Sequence, residues 1–327
     1  MLQQQTLIPE EERQKESLKF EDIKGHEHEK RAAEVAAAGG HNILLIGPAG
    51  SGKTTLAHAM QSILTPLWIT EETSGTTQPD FGELCNRTPF RAPQNSIPCS
   101  QMIGEGKHIR QGEIFLANGG GLLMDDLRNY KPRVLESLRQ SLTQRSISVN
   151  SRDRTVVFPA CFLLIATMQL CPCGNLGDSF RPCACKPEAV HKYQRRVPRD
   201  LLQYFDLVVE VCPVPFSKLN DERECESSET VRARVKAVRS LTLERLRGKT
   251  INCNAEMEPG DVRKFCALDE TSKELMKSGM QHLMLTAGAY FQVLKVARTI
   301  ADLAGAESLT AAHVAEALQY QKKGEWL

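Results

Sequence analysis

Short apolar runs recur along the first two thirds of the chain, and each has the length of a buried strand. They lie at residues 42–47, 121–126, 161–167 and 206–212. Helical patterns stand between them, including an alanine-rich segment at residues 32–40 that ends in a glycine pair, and residues 131–143. Buried strands that alternate with helices are typical of a three-layer α/β domain with a parallel sheet.

The pattern changes after Cys212. A proline- and charge-rich stretch leads into segments whose apolar positions are three and four residues apart, as on amphipathic helices. We therefore predict a second, smaller helical domain. The predicted divisions are a linker or disordered lead-in at residues 1–18, a core at 19–212, a linker at 213–229 and the helical domain at 230–327.

Charge and hydropathy limit the classes of protein that this chain can be. Lys and Arg number 41 and Asp and Glu 40, so a nucleic-acid surface must be a local patch rather than a property of the whole chain. The apolar runs are far shorter than the roughly 20 residues of a membrane span. The polar first residues are not a secretory signal, so we expect a cytoplasmic protein without a membrane partner.

One glycine-rich loop follows the first predicted strand and opens a helix. Residues 47–54 read GPAGSGKT, which fits the phosphate-loop pattern in the strand–loop–helix context that this motif requires. Backbone N–H groups of such a loop turn toward phosphates, Lys53 would reach the β- and γ-phosphates, and Thr54 would bind Mg²⁺. The sequence therefore predicts binding of ATP and Mg²⁺ by Gly47, Pro48, Ala49, Gly50, Ser51, Gly52, Lys53, Thr54 and Thr55.

Two carboxylates end the apolar strand at residues 121–126. Asp125 would hold Mg²⁺ through water, and Asp126 lies where a base would orient the attacking water. An apolar strand that ends in two acids is common. About 70 residues after a phosphate loop, however, it indicates a nucleotide site.

Four of the eleven cysteines are clustered in the spacing C-P-C-x9-C-x-C. In a cytoplasmic chain such thiols are typical of metal ligands rather than disulfides, and four thiolates suffice for one tetrahedral Zn²⁺. A redox pair or solvent-exposed thiols are the alternatives. The predicted ligands are Cys171, Cys173, Cys183 and Cys185.

Basic residues concentrate in two stretches, residues 128–154 and 191–199. The first includes residues 146–158, where alternation around a polar centre predicts a β-hairpin with its tip near residues 151–153. Contact with a DNA backbone is one interpretation, and a solvated helix face or a subunit contact is the other. The predicted DNA contacts are Lys107, Arg110, Arg152 and Arg154.

Taken in order, these segments resemble the AAA+ module of the magnesium-chelatase-like ComM/YifB family. The resemblance covers residues 18–321 and rests on the phosphate-loop region, RTPFRAP, GEIFLANGGGLLMDDL, CPCG with its following cysteine pair, LLQYFDLVVEV and LKVARTIADLAG. It implies an α/β three-layer P-loop NTPase core with a helical lid. It also implies a homo- or hetero-hexameric ATPase ring that remodels or branch-migrates DNA. The hairpin would point into the pore, and a helix-2 insert would lie near residues 98–111.

Several positions depart from the family pattern. Asp126 stands where the family has Glu, Gln169 where it has the sensor-1 Asn, and Tyr204 where it has an arginine finger. Gly288 replaces an expected lid Arg, which leaves Lys295 on the same helix as a nucleotide contact. Family members usually begin with a Lon-protease-like domain, which we expect to be absent from these 327 residues. The resemblance gives catalytic roles to Lys53, Asp126 and Gln169.

Three functions remain open on this basis. One is a DNA motor that hydrolyses ATP. Another is a nucleotide-binding regulatory or structural subunit with weak hydrolysis, which the altered positions favour because loss of an arginine finger typically costs about 10³–10⁵ in rate. The last is a chelatase-type subunit that acts on a protein partner.

Overall fold

The computed structural model describes residues 18–66, 88–105, 110–150, 155–220 and 225–321. Its strands are β1 (Ile43–Ile46), β2 (Phe90–Arg91), β3 (Gly104–Glu105), β4 (Arg110–Gln111), β5 (Gly121–Met124), β6 (Ser146–Asn150), β7 (Thr155–Pro159), β8 (Leu163–Met168) and β9 (Leu207–Glu210). Its helices are α1 (Glu27–Gly39), α2 (Lys53–Ala59), α3 (Cys99–Ile103), α4 (Glu113–Leu116), α5 (Pro132–Gln144), α6 (Pro187–Gln194), α7 (Arg199–Leu202), α8 (Phe216–Leu219), α9 (Ser228–Arg245), α10 (Pro259–Phe265), α11 (Glu270–His282), α12 (Ala287–Leu303) and α13 (Ala311–Gln319).

A parallel sheet is the centre of the molecule. Its strand order within the described residues is β2-β5-β8-β1-β9. β1 lies between β8 and β9, with Ile43 opposite Ile165 on one side and Leu207 on the other. The carboxyl ends of β1, β5 and β8 therefore meet at one edge of the sheet, which is where ligands bind in open parallel sheets.

Both faces of the sheet are covered by apolar side chains. In β1, Ile43 and Leu45 belong to one buried cluster, whereas Leu44 and Ile46 belong to another on the opposite face. Successive side chains of a strand point to opposite faces, so this division shows helices packed on each side. The predicted three-layer α/β fold with a parallel sheet is confirmed.

The C-terminal helices pack on the first of these faces. α9 and α12 contact α1, and their apolar residues continue the cluster that contains Ile43 and Leu45. Side-chain oxygens of Ser227, Asp269 and Thr286 accept N–H bonds at the first turns of α9, α11 and α12. Such caps satisfy backbone donors that a helix leaves free at its start, and so fix where these helices begin.

Two antiparallel hairpins lie outside the central sheet. One is β6 with β7, with Ile147 opposite Phe158, and it occupies the predicted hairpin segment. The other is β3 with β4, which follows α3 in the predicted helix-2 insert. The tips of both hairpins, at residues 151–154 and 106–109, lie outside the described residues, as does most of the predicted lead-in at residues 1–18.

The sequence pattern did not predict several of the short elements, among them β2, α6, α7 and α10. β2 has only two residues, and α10 has seven, both too short to show a clear period. Helix α8 lies inside the segment predicted as a linker, and α9 begins at Ser228. Among the described residues no helix combines the length and the apolar character needed to cross a membrane.

Candidate functional site

The phosphate loop connects β1 with α2 at the carboxyl edge of the sheet. Gly47 has φ 153°, and a Cβ on it would lie 2.3 Å from the carbonyl oxygen of Val211. The loop therefore passes so close to the segment after β9 that only glycine fits at its first position. Gly52 has φ 91° and caps α2, which Lys53 opens. The predicted loop residues thus form one turn at the sheet edge.

Lys53 is directed back into this loop. Its side chain is buried, and Nζ donates to the carbonyl oxygen of Pro48 at 2.6 Å and to Ser51 Oγ at 3.4 Å. Burial lowers the pKa of Lys53, whereas the carboxylates of Asp126 and Asp125 act in the opposite direction. The ammonium group is therefore held over the inside of the loop, where it can meet an anion.

Thr54 and Asp125 are joined, as expected for two Mg²⁺ ligands. Thr54 Oγ1 donates to Asp125 Oδ1 at 2.9 Å. The hydroxyl of Thr167, the penultimate residue of β8, donates to the same carboxylate oxygen at 2.6 Å and accepts the backbone N–H of Asp126 at 2.9 Å. Sequence reasoning missed Thr167. Its signal was a hydroxyl residue near the end of an otherwise apolar strand.

Asp126 and Gln169 also come together. Asp126 has φ 53°, in the left-handed region, and its Oδ2 lies 3.4 Å from Gln169 Nε2. Burial and the neighbouring carboxylate of Asp125 raise the pKa of Asp126, and Lys53 opposes this. The structure thus assembles Lys53, Asp126 and Gln169, to which the family pattern gives catalytic roles, at one edge of the sheet.

The buried side chain of Arg128 contacts the backbone of Gln169. Its side chain is 2% exposed, its Nη1 donates to the carbonyl oxygen of Gln169 at 2.6 Å, and its guanidinium lies 5.1 Å from the ring centroid of Tyr193 on α6. Burial lowers the pKa of Arg128 to about 10. Arg128 belongs to the basic stretch at residues 128–154, for which the sequence allows contact with a DNA backbone, a solvated helix face or a subunit contact. Its burial instead makes it a support of the site.

The four predicted metal ligands form a compact group after β8. The Sγ atom of Cys171 is 3.3 Å from that of Cys173 and 3.6 Å from that of Cys183, and all four sulfurs lie within 4.8 Å of one another. A Zn–S bond of about 2.3 Å places the sulfurs of a tetrahedral site about 3.8 Å apart. A disulfide needs about 2.05 Å. The spacing therefore fits a metal tetrahedron and excludes disulfides in this conformation.

The remaining predicted residues lie apart or outside the described chain. Arg110 is exposed in β4, whereas Lys107, Arg152 and Arg154 fall outside the described residues. Lys295 Nζ donates to the carbonyl oxygen of Ala255 at 2.9 Å, a contact within the C-terminal helices. Tyr204, at the position of the arginine finger, shares a hydrogen bond of 2.5 Å with the Thr143 hydroxyl.

A parallel sheet with a phosphate loop after β1, two acids after β5 and a following helical bundle defines an AAA+-type P-loop protein. Residues 19–219 match the family described as magnesium chelatase, subunit ChlI, and residues 225–321 match the family described as magnesium chelatase, subunit ChlI C-terminal. The chain therefore belongs to the magnesium chelatase family. This agrees with the resemblance seen in its sequence motifs.

Individual relatives cover almost all of the chain. It is 35% identical over 314 residues to the competence protein ComM of Haemophilus influenzae, across 94% of the chain. It is 34% identical over 307 residues to the uncharacterized protein YifB of Salmonella typhimurium, and 33% identical over the same length to YifB of Escherichia coli, each across 92% of the chain. The chain spans 60% of the length of each of these relatives.

Proposed function

We propose that the protein binds ATP and Mg²⁺ at the phosphate loop and acts as a slowly hydrolysing AAA+ subunit in a ring that remodels DNA. The observation that carries the nucleotide part is the joined pair of Thr54 and Asp125 beside the buried ammonium group of Lys53. A hydroxyl and a carboxylate oxygen are the kinds of ligand that Mg²⁺ prefers. A positive charge beside them suits the phosphates that accompany the ion.

The side chains and loop of this site fit a nucleoside triphosphate. A side chain at Gly50 would contact nothing within 4 Å, so the outer side of the loop has room for a ligand. Lys53 would exchange the carbonyl oxygen of Pro48 for phosphate oxygens. Thr54 and Asp125 would hold Mg²⁺, whose charge lowers the cost of bringing phosphates next to two carboxylates. Asp126 would accept a hydrogen bond from the attacking water.

Slow hydrolysis is proposed from three side chains around this site. The Asp126 carboxylate is one methylene shorter than that of Glu, and Gln169 Nε2 is already within 3.4 Å of it. Tyr204 carries no positive charge near neutral pH and shares its hydroxyl with Thr143. Attack on a γ-phosphate is accelerated by an oriented water and by compensation of the developing charge. Orientation of the water and compensation of the developing charge are therefore both weakened in a ring made of this chain alone.

DNA is the proposed partner of this ring. Arg110 is exposed on one of the two hairpins outside the central sheet, and a relative bears the name competence protein. A DNA-backbone surface of this kind loses affinity steeply as salt is raised, with a slope of about −0.7 to −0.9 per neutralised phosphate. A chelatase-type subunit acting on a protein partner, which family membership also supports, would not show this dependence.

Titration with a fluorescent ATP analogue in the presence of Mg²⁺ tests the nucleotide site. Lys53→Ala removes the buried ammonium group, so we expect affinity to fall at least tenfold, which corresponds to about 1.4 kcal/mol or more. The matched control is Lys236→Ala, which removes an exposed lysine from α9 and should bind as the unmodified protein does. Unchanged affinity of Lys53→Ala, with an unchanged circular dichroism spectrum, would contradict the assignment.

Steady-state ATP hydrolysis, with and without single-stranded or branched DNA, separates a motor from a regulatory subunit. The three side chains described above favour a low rate for the chain alone. A rate typical of an intact ring motor would show that another arginine replaces the finger. A low rate that rises when an active partner subunit is added would identify a regulatory subunit.

A further inference from the structure

The four-cysteine cluster is directly connected to the phosphate loop. The turn that contains Cys171 and Cys173 ends at Gly174, whose carbonyl oxygen accepts the backbone N–H of Ala49 at 2.7 Å. Gly174 has φ +78°, and a Cβ on it would lie 2.7 Å from Ala49 Cβ and 2.9 Å from Gln169 Oε1. The turn therefore packs between the phosphate loop and Gln169, whose side chain contacts Asp126.

Regular secondary structure does not fix this part of the chain. Between the end of β8 at Met168 and the start of α6 at Pro187 there is no helix or strand, although the structure describes every residue of this segment. Phe180, near its middle, is 78% exposed, so the segment has little apolar packing around its tip. Fixing such a loop costs conformational entropy that a bound metal can offset, because one ion joins positions fourteen residues apart.

The surroundings of the cluster suit a metal–thiolate group. Four thiolates and one Zn²⁺ carry a net charge of −2, which needs compensation in a partly buried place. Arg128 is 2% exposed, and its Nε and Nη2 have no hydrogen-bond partner in the described part of the chain. Its Nη1 donates to the carbonyl oxygen of Gln169, two residues before Cys171, so the guanidinium lies near the cluster. Arg128, a buried cation with spare donors, therefore offsets part of this charge. Cys171 Sγ also accepts the backbone N–H of Leu176 at 3.3 Å.

We infer that a zinc ion bound by Cys171, Cys173, Cys183 and Cys185 clamps the turn ending at Gly174 against the phosphate loop, so that nucleotide affinity depends on the metal. The ion is structural in this role, since four protein ligands leave no position for water or substrate. The inference rests on the proposed nucleotide site. Because coupling between two sites is reciprocal, bound nucleotide must in turn hold the metal more tightly.

Metal content and nucleotide affinity, measured on the full chain, give the first test. We expect one zinc per chain by elemental analysis. We also expect an at least fivefold weaker affinity for the fluorescent ATP analogue after treatment with a zinc-selective chelator, reversed by added Zn²⁺. Bound analogue should slow the transfer of zinc to a colorimetric chelator. The Cys183→Ser, Cys185→Ser double variant should lose zinc and bind weakly, whereas Cys212→Ser, which removes an exposed cysteine outside the cluster, should do neither.

A pair of glycine variants tests the contact without touching a ligand. Gly174→Ala places a methyl group against Ala49, so we expect zinc to be retained while nucleotide affinity falls. Gly177→Ala is the matched control, because Gly177 also has a positive φ of 86° but its nearest neighbours are 3.8 Å and 3.9 Å away and lie outside the phosphate loop. Both variants carry similar backbone strain.

Each result has a definite meaning. A native protein without metal refutes the zinc site. A zinc-free protein that binds nucleotide with unchanged affinity, or a Gly174→Ala variant that binds like Gly177→Ala, refutes the coupling and leaves the proposed nucleotide site standing. Failure of the zinc-loaded, unmodified protein to bind the analogue at all refutes the proposed nucleotide site itself.

Discussion

At the scale of single residues, the carboxylate of Asp126 lies half-buried beside that of Asp125. Asp125 is well satisfied, because Thr54 and Thr167 both donate to its Oδ1. Within the described residues, the Asp126 carboxylate accepts a single, long hydrogen bond of 3.4 Å from Gln169 Nε2, and the Asp126 backbone is in the left-handed region. The folded protein therefore maintains a poorly compensated negative charge, as functional sites often do at a cost in stability.

This arrangement predicts a pH-dependent stabilisation by Asp126→Asn. The folded state raises the pKa of Asp126 above its ordinary value of 3.8, first through burial and then through Asp125. The ionised form therefore destabilises the fold at neutral pH, and that cost disappears as the pH falls through the raised folded-state pKa. Asn has the same shape without the charge. We expect the melting temperature of the nucleotide-free protein to rise by about 1–3 °C at pH 7.5.

Thermal unfolding at several pH values checks this. The gain for Asp126→Asn should shrink toward zero near pH 4, while Asp200→Asn, at an exposed position of α7, should change little at any pH. A gain of constant size across the pH range would mean that the charge of Asp126 is not its cause.

Residue motifs identified one part of the site from sequence and not the other. Lys53, Thr54 and Asp125 follow from two strand ends and a glycine loop, because each is close in sequence to a recognisable pattern. Thr167 and Arg128 depend on the strand order and on α6. These bring Thr167 and Arg128 against residues that are 41 to 65 positions away in the sequence, with no local signal. An arginine is usually exposed, and the burial of Arg128 is explained by two contacts that the sequence does not show, with the carbonyl oxygen of Gln169 and with the ring of Tyr193.

At the scale of elements, the end of α1 shows how contacts with neighbouring residues determine which amino acid fits at a helix end. Gly39 is its last residue and is buried. An added Cβ would lie 2.3 Å from the ring of His41 and 2.4 Å from Thr299 Oγ1 on α12. His41 Nε2 and Thr299 Oγ1 share a buried hydrogen bond of 2.8 Å. Glycine at this position lets α1 approach α12 while that bond is kept.

Gly39→Ala is therefore expected to destabilise the protein, although alanine has the higher helix propensity. In a helix interior alanine is favoured over glycine by about 1 kcal/mol, but here the methyl group breaks a buried contact, and we expect a net loss of about 1–3 kcal/mol. Gly260→Ala, in α10, is the matched variant. Its Cβ would meet nothing within 4 Å, so it should be neutral or gain up to about 1 kcal/mol.

Urea unfolding followed by circular dichroism gives both free energies of unfolding. Equal effects of the two substitutions would show that the packing of α1 on α12 does not restrict Gly39.

Element types were predictable where the apolar pattern was long enough to show a period. β1, β5, β8 and β9 are predictable because each contains at least three consecutive apolar residues, which mark a strand buried on both faces. β2 was missed because its backbone pairing with β5 involves only two residues, and its side chains are partly exposed. Its place in the sheet is set by β5 rather than by its own sequence.

At the scale of the whole molecule, the end of the described chain returns to the edge of the sheet. Tyr320, just after α13, is 1% exposed, and its carbonyl oxygen accepts the N–H of Val208 in β9 at 2.8 Å. The ring of His28 in α1 stacks on that of Tyr320 at 5.3 Å. The apolar cluster runs without a break from the sheet through α1 into the C-terminal helices. The linker suggested by composition therefore joins regions that share one core.

This continuity leads to a prediction about cooperativity. Tyr320→Ala removes a large buried ring, and such truncations cost about 3–5 kcal/mol. Because the cavity would lie between α13, α1 and β9, we expect protection from hydrogen exchange to fall in all three elements together, with one urea transition at a lower midpoint. If the helical region were an independent domain behind a linker, protection would fall in α13 and its neighbouring helices while β9 stayed protected.

Two controls separate the ring from its hydroxyl and from surface effects. Tyr320→Phe keeps the packing and loses only the bond from the hydroxyl to Glu316 Oε1, which is long at 3.2 Å, so it should cost about 1 kcal/mol or less. Phe216→Ala removes an aromatic side chain that is 77% exposed on α8 and should leave both the midpoint and the exchange pattern unchanged.

A shared core also explains why a change in the helical region can reach the nucleotide site. β9 pairs with β1, and β1 leads directly into the phosphate loop. Loss of protection in β9 should therefore be accompanied by weaker binding of the ATP analogue, and unaltered binding in Tyr320→Ala would show that the sheet edge tolerates the loss of its C-terminal partner.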